Sequence, residues 1–385
     1  MPIEIATTKD YKNIKELWQK LFQDSEEFIE YYFNIKVLTN EILCYKKNKK
    51  IISMIHLNPY YLSINNNKQQ FAYYVGVGTD VDYQNKGYMR YIMEYSLNYL
   101  YEKGHSISIL MPIDDRIYKR FGFSFITKYY EVYLCKEDLN TIKDNRYYIT
   151  SKIKEDKIAD ISTFYQNMMN NYQVYIERNK NYYNEILKEL DSEKGIIIGS
   201  YKGEKLAGYI MIYNNSELCE IREIMYDNYE TLEILLSYIK ENSNSKMIKI
   251  NTHRLDIRHF IPFTKNIKRI IKPYIMARII NVRKILQFIY SKNKCIINIK
   301  VNDSIIKHNN GVFKLDLRVN ESIVKNTNED SDIELDIGTL VQLIMGFETV
   351  EELIKVNKII VNNKGIINEF KNIFFIKNIF INEIV

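Results

Sequence analysis

The stretch of this chain best suited to chemistry reads Val75-Gly76-Val77-Gly78-Thr79, then Gln84-Asn85-Lys86-Gly87-Tyr88-Met89-Arg90. Two glycines weaken an otherwise strand-forming run, and they leave room for a ligand to approach the backbone. The second half opens a helix. N–H groups in a first helical turn lack intrahelical acceptors and sit at the positive end of the dipole. An anion belongs there, and a diphosphate suits it. Lys86 and Arg90 add positive charge on the same side. Neither GxGxxG nor GxxxxGK[ST] is present, and Asn-Lys-Gly is also an ordinary turn. The phosphate reading therefore rests on position, where a strand ends and a helix begins.

A second cluster follows, MPIDDRIYKRFGF at 111–123. Gly122 suits a helix C-cap, and Phe121 and Phe123 suit a core. Tyr118 is different, because its hydroxyl can be buried and still donate a proton. Other chemistries find little support. His253 and His259 lack a third ligand at zinc spacing, so no metal is expected. There is no GxSxG. Cys44, Cys135, Cys219 and Cys295 form no CxxC pair, which argues against a disulfide framework and for a reducing cytoplasm.

The elements that position these residues follow from periodicity. Ile14, Leu17, Trp18, Leu21 and Phe22 make one apolar helical face within 9–33. Strands are expected at 41–46, 51–57, 59–64 and 71–79, with a turn at Asn65-Asn66-Asn67. A helix at 87–102, a strand at 105–111, a short helix at 114–120 and a strand at 123–134 complete a mixed α/β block. The order then partly repeats. Helices at 156–170 and 178–190 precede strands at 195–201, 205–213 and 217–226, a helix at 229–242 and a strand at 246–251. At the repeat's strand-to-helix junction stands Tyr226-Asp227-Asn228-Tyr229, with no glycine or basic loop. The last third differs: a strand running into a helix at 276–289, a hairpin of 295–301 with 311–317, a strand at 333–338, then helices. The tail IFINEIV is apolar to its last residue, which suggests that it is packed inside something.

Length and composition agree with three folded blocks. The chain has 385 residues, with 46% apolar, 26% charged, 13 glycines and 5 prolines. An average chain of this length would carry roughly 27 glycines and 19 prolines, so a long linker or a disordered protein is excluded. The net charge of +6 is slight for this size and argues for no nucleic-acid partner. The abundant lysine and asparagine resemble the codon bias of an AT-rich genome. No run of about 18 apolar residues exists, so no membrane span is expected.

QNKGY after a V-x-T strand, together with YKRFGF, resembles the GNAT N-acetyltransferases, which bind acetyl-CoA. DSEEFIEYYF at 24–33, PIDDRIYKRFGF, MARIINV at 276–282 and the apolar C-terminus resemble the Eis (enhanced intracellular survival) branch, over nearly the whole chain. That resemblance implies an α/β (α+β) architecture of tandem GNAT-like domains followed by a sterol-carrier-protein-like domain. The blocks would be a catalytic domain at 1–140, a GNAT-like copy without a cofactor loop at 141–275, and a sterol-carrier-like domain at 276–385 supplying the C-terminus. The chain departs from the branch in its Gln-Asn-Lys loop, where members often carry more basic residues, and in ending on Val385 instead of an aromatic residue.

The resemblance also implies roles. The backbone of Val77, Gly78 and Thr79 would pair with the pantetheine arm. The loop Gln84, Asn85, Lys86, Gly87 and Tyr88, with Arg90, would hold the diphosphate. Tyr118 matches the general acid and the carboxylate of Val385 the general base. Asp24, Glu26 and Glu27 lie where substrate contacts are placed, with Asp114, Asp115 and Glu383 as further candidates. A strand N–H near Val77 would stabilise the oxyanion formed when an amine attacks the thioester. The expected substrate is a primary amine of a polyamine, aminoglycoside or lysine-type molecule, and the expected assembly a homo-oligomer, often a hexamer in such proteins. Two rival readings are a carrier or sensor that holds an apolar ligand in the third domain, and a tandem-GNAT aminoacyl transferase.

Overall fold

Two pairs of left-handed residues start the architecture. Asn48 and Lys49 have φ of 50° and 65°, and Asn65 and Asn66 have 48° and 65°. Two consecutive positive φ values make the tight hairpin turns whose twist matches antiparallel strands, so the chain folds back on itself twice within 40 residues. This is a computed structural model that describes residues 3–140, 148–319 and 321–383.

In chain order the first block runs β1 (Ile3–Ile5), α1 (Tyr11–Leu21), α2 (Glu26–Asn34), β2 (Glu41–Lys47), β3 (Lys50–Ile64) and β4 (Asn67–Thr79). It continues with α3 (Tyr88–Glu102), β5 (Ile107–Leu110), α4 (Asp115–Lys119), β6 (Ser124–Phe125) and β7 (Lys128–Leu134). The second comprises β8 (Ile149–Lys152), α5 (Ile158–Met169), β9 (Val174–Ile176), α6 (Lys180–Ser192), β10 (Ile196–Lys202) and β11 (Lys205–Asn214). It goes on through β12 (Leu218–Tyr226), α7 (Tyr229–Asn242), β13 (Met247–Thr252) and β14 (Lys268–Pro273). The third has β15 (Met276–Ile279), α8 (Val282–Leu286), β16 (Cys295–Asn302), β17 (Gly311–Arg318), β18 (Glu321–Thr327) and β19 (Ile333–Asp336). It ends with α9 (Ile337–Met345), α10 (Val350–Lys355), β20 (Ile359–Val361), α11 (Ile367–Ile373) and β21 (Ile379–Phe380).

Two sheets share one plan. The first has the order β1-β2-β3-β4-β5-β15-β6, and the second β8-β10-β11-β12-β13-β7-β14. In each the fourth and fifth strands are parallel and the sixth is antiparallel to the fifth. The sixth strands are exchanged. β7, the last strand of the first block, lies in the second sheet, and β15, made after the second block, lies in the first. The third sheet, β18-β17-β16-β19-β20, has one parallel pair, β16 with β19. Its apolar side packs into the same core as the first sheet, joining Ile107, Ile109 and Ala277 to Ile299, Ile337 and Leu340.

The structure corrects the element reading in three places. The helix expected over 9–33 is broken. α1 ends at Leu21, and Ser25 caps α2 by accepting from the Phe28 N–H at 3.1 Å. The single strand expected at 123–134 is two strands in different sheets, because Ile126 and Thr127 turn to bond the backbone of Ile275 and Tyr274. The runs 51–57 and 59–64 are one strand. Pro59 is tolerated because the outer edge of β3 there lies between its last partner on β2, reached at Leu57, and its first on β9, reached at Leu62.

Candidate functional site

The cleft begins at the ends of β4 and β5. β5 pairs with β4 only over Ala72–Tyr74, so Val75–Thr79 runs on beside no strand of the described residues on that edge. On the other edge a bulge interrupts the ladder. His56 faces Val75 and Met54 faces Gly78, which leaves Gly76 and Val77 opposite a single residue. Gly76 has φ +56°, and a Cβ there would meet the Trp18 ring at 2.4 Å. A bulge bends and twists its strand, here next to the point where the two strands part.

The loop after β4 is shaped by charge and left-handed backbone. Asp80 is buried, and its carboxylate is held by Lys20 at 2.6 Å and Lys50 at 2.9 Å. Burial alone would raise its pKa, but those two ammonium groups and the Asp82 N–H hold it down at about 2. Asn85 and Gly87 have φ of 59° and 83°, and Gly87 is the N-cap of α3. Among the described residues no backbone hydrogen bond is donated by the N–H groups of Asn85, Lys86 or Gly87, and those of Tyr88 and Met89 lie in the first helical turn. Together these amides make a cradle of the kind that suits an anion. The loop side chains are drawn inward. Gln84 donates to the Thr79 carbonyl at 3.3 Å and Lys86 to the Asp82 carbonyl at 2.7 Å. Arg90 pairs with Glu94 one turn along, in solvent. Lys47 on β2 donates to the Tyr88 hydroxyl at 2.9 Å. Lys20, Lys47 and Lys50, which frame this corner, were not singled out from the sequence. Lys47 and Lys50 flank the hairpin turn of the run Lys46-Lys47-Asn48-Lys49-Lys50, which the lysine-rich composition discounts, and Lys20 comes from a distant helix.

Tyr118 closes the cleft. A volume of about 500 Å³ is bounded by Val77, Gly78 and Thr79, by the loop at Gln84, Asn85, Gly87 and Tyr88, and by Tyr118 and Phe121 on the opposite wall. Asp114 caps α4 by accepting from the Arg116 N–H at 2.9 Å. This short helix holds the Tyr118 ring edge-on to Phe123 with centroids 6.1 Å apart. The Tyr118 side chain is buried, and its hydroxyl bonds to none of the described residues. Burial pushes it up to about 12. A phenol that weak stays protonated at every working pH and is free to donate a hydrogen bond.

The other candidates are distributed as follows. Asp24 accepts from the Trp18 indole N–H at 2.8 Å at the turn between α1 and α2, where Glu26 and Glu27 are also exposed. Asp114 and Asp115 are paired with Arg116 and Lys119. Val385 lies outside the described residues. Glu383, expected to face substrate, is 2% exposed. Its carboxylate accepts from Arg178 Nε at 2.9 Å, from the Tyr182 hydroxyl at 3.2 Å and from the Asn382 N–H at 3.0 Å. Arg178, also fully buried, reaches Glu223 at 2.8 Å. Burial opposes the charge on Glu223, but Arg178 and hydrogen bonds from Tyr209 and Asn382 hold its carboxyl below the usual range. Adjacent charges at Arg222 and Glu223, where the strand should turn one face to the core, are the signal that a sequence reading could have used.

The second sheet has the same splay but no loop. β12 and β13 pair only over Leu218–Ile221, and only Asp227 and Asn228 separate β12 from α7. Asn228 caps that helix with its own side chain. A diphosphate would meet the Asp227 carboxylate there instead of free amides.

An open strand edge, a run of free loop amides and a buried tyrosine thus line one cleft. A family described as acetyltransferase (GNAT) domain matches residues 2–126, and one described as sterol carrier protein domain matches residues 279–378. The fold is similar along the whole chain to a probable N-acyltransferase from Enterococcus faecalis V583, at 18% identity, 98% coverage of each chain and a TM-score of 0.86. It is also similar to a GCN5-related N-acetyltransferase from Anabaena variabilis ATCC 29413, at 16% identity, 97% coverage of each chain and a TM-score of 0.83. Eis1 from Mycobacterium abscessus gives 14% identity, coverage of 100% of this chain and 99% of that one, and a TM-score of 0.76. No curated protein matches the sequence. The chain therefore has a GNAT N-acetyltransferase fold, with a GNAT domain at its start and a sterol-carrier-like domain at its end.

Proposed function

We propose that this chain is an N-acetyltransferase of the Eis-like kind, moving the acetyl group of acetyl-CoA to a primary amine of a polyamine, aminoglycoside or lysine-type substrate. The observation that carries the reading is the unpaired edge of Val75–Thr79 running into the amide cradle of Asn85–Tyr88. The edge suits the amides of a pantetheine arm as an added strand, and the cradle suits a diphosphate. The neutral amine nitrogen bonds to the acetyl carbon as the carbon–sulfur bond breaks. The sulfur takes a proton from Tyr118, which regains one from solvent, and the amine gives one up to a base. We assign the base to the carboxylate of Val385. Unperturbed it has a pKa of about 3.5, so it works through desolvation or a bridging water. Asp24, Glu26 and Glu27 are the negative groups that would concentrate a cationic amine.

Thermal unfolding tests the reading. Acetyl-CoA at 100 times its Kd adds about 2.7 kcal/mol of stability, and an amine panel assayed for thiol release identifies the acceptor. No stabilisation by acetyl-CoA overturns the proposal. Self-association into a homo-oligomer belongs to the same reading and is checked by sedimentation.

A further inference from the structure

The tail fills the splay of the second sheet. Asn382 donates to Glu223 Oε2 at 2.6 Å and accepts from the Tyr129 hydroxyl of β7 at 3.0 Å. Phe380 lies against the ring of His253, just past the end of β13, with centroids 5.5 Å apart. β21 adds to β9 as a parallel strand at Ile379 and Phe380. Beyond these contacts Glu383 meets Arg178, and the Tyr73 hydroxyl of β4 donates to the Glu383 carbonyl at 2.8 Å. In the first sheet the equivalent opening is the candidate active cleft. In the second it is a dock for the tail.

The dock is ionic and dry. Arg178, Glu223 and Glu383 are each at most 3% exposed at the side chain. Two carboxylates share one guanidinium, and the surplus negative charge is spread over donors from Tyr209, Tyr182, Asn382 and a backbone N–H. Apolar packing alone would let a short tail slide by a residue. A planar guanidinium bonded to two carboxylates at fixed angles does not.

We infer that Arg178 and Glu223 are positioning residues for acetyl transfer, fixing the tail through Glu383 against Tyr73 of β4 and so setting the register of the chain end relative to the cleft. The inference rests on the proposed function in assigning the base to Val385; the docking itself does not.

The test uses the full chain. Glu383→Ala cuts the link from the tail side and leaves the Arg178–Glu223 pair intact, so it spares folding even if Arg178→Met does not. Release of the terminal residues by carboxypeptidase reads docking directly, and initial rates with acetyl-CoA and an accepted amine read transfer. Expected for Glu383→Ala are release at least tenfold faster, a kcat lowered at least tenfold and an unchanged KM for acetyl-CoA. Arg178→Lys, which keeps the charge, recovers part of the rate relative to Arg178→Met. Unchanged release in Glu383→Ala overturns the dock. Faster release with wild-type kcat overturns the positioning role. A wild-type chain that binds no acetyl-CoA overturns the proposed function instead, and the carboxypeptidase comparison still decides the dock.

Discussion

The hydroxyl of Tyr73, on the central strand of the first sheet, donates a 2.8 Å hydrogen bond to the carbonyl of Glu383, 310 residues later in the chain. Tyr73 lies where β4 still pairs with β5, one residue before they separate. The last residues described are thus tied to the strand whose free edge forms the cleft.

Tyr118→Phe removes the only atom of that side chain able to give a proton. Acetyl-CoA affinity is expected to stay within about twofold, while kcat falls by roughly 10²–10⁴, the usual scale for a general acid. Because burial holds this hydroxyl at about 12, its ionisation adds no alkaline decline to the rate below about pH 10. A full pH–rate profile checks both points: a Tyr118→Phe rate equal to the wild type contradicts the assignment as acid, and an alkaline limb near pH 9 that vanishes in Tyr118→Phe contradicts the raised pKa.

Extending the chain past Val385 moves its terminal carboxylate. Two added glycines are expected to lower kcat at least tenfold, with little change in acetyl-CoA binding. The same extension before Met1 should leave the rate unchanged. Steady-state rates of the two extended proteins decide it.

The two left-handed glycines of the cleft make different demands. Gly87→Ala places a Cβ on a φ of +83° with no atom closer than 3.5 Å. It should cost about 1–2 kcal/mol and, by reshaping the cradle, weaken acetyl-CoA about tenfold. Gly76→Ala adds a collision with the Trp18 ring to its own left-handed strain. It should destabilise the fold by about 2–4 kcal/mol. Urea unfolding and acetyl-CoA titration separate the two effects.

Acid should weaken the fold earlier than carboxylates alone dictate. Burial pushes His56 down to about 3 and His253 to about 4. Above their unfolded value of about 6.5 both are neutral in either state, so they contribute nothing. Below it the unfolded chain takes up protons that the folded chain cannot, and stability falls with pH, approaching about 1.4 kcal/mol per unit for each histidine. Glu223 and Asp303, both held low by buried arginines, extend the loss below about pH 4.5. Urea midpoints at pH 7, 6 and 5 measure the slope, and His253→Asn should roughly halve it over that interval.

The strand-to-helix loop before Gly87, the short helix that carries Tyr118 and the order of elements were legible because each rests on neighbours in the chain. A strand that meets a helix at Gly87, a helical stripe in α3 and the turn at Asn65-Asn66 are all local. The edge strands β8, β14 and β18 were invisible because their residues are largely exposed and lack an apolar period. The strand exchange left no trace either, since the 123–134 segment looks the same whichever sheet receives its second half. Glu383 reads as a surface acid until Arg178, from a different block, is placed beside it.

That exchange has a consequence for how the molecule is made. The first sheet lacks its sixth strand until Met276–Ile279 has left the ribosome, more than 150 residues after the strand it must join. Until then the β5 edge is bare, and a polypeptide cut between the first two blocks would keep that edge for good. Each half would be a poor fragment: sticky, short of a partner, and unfit for expression alone. The intact protein should instead cross its folding transition as one cooperative body, without a separate melting step for either half.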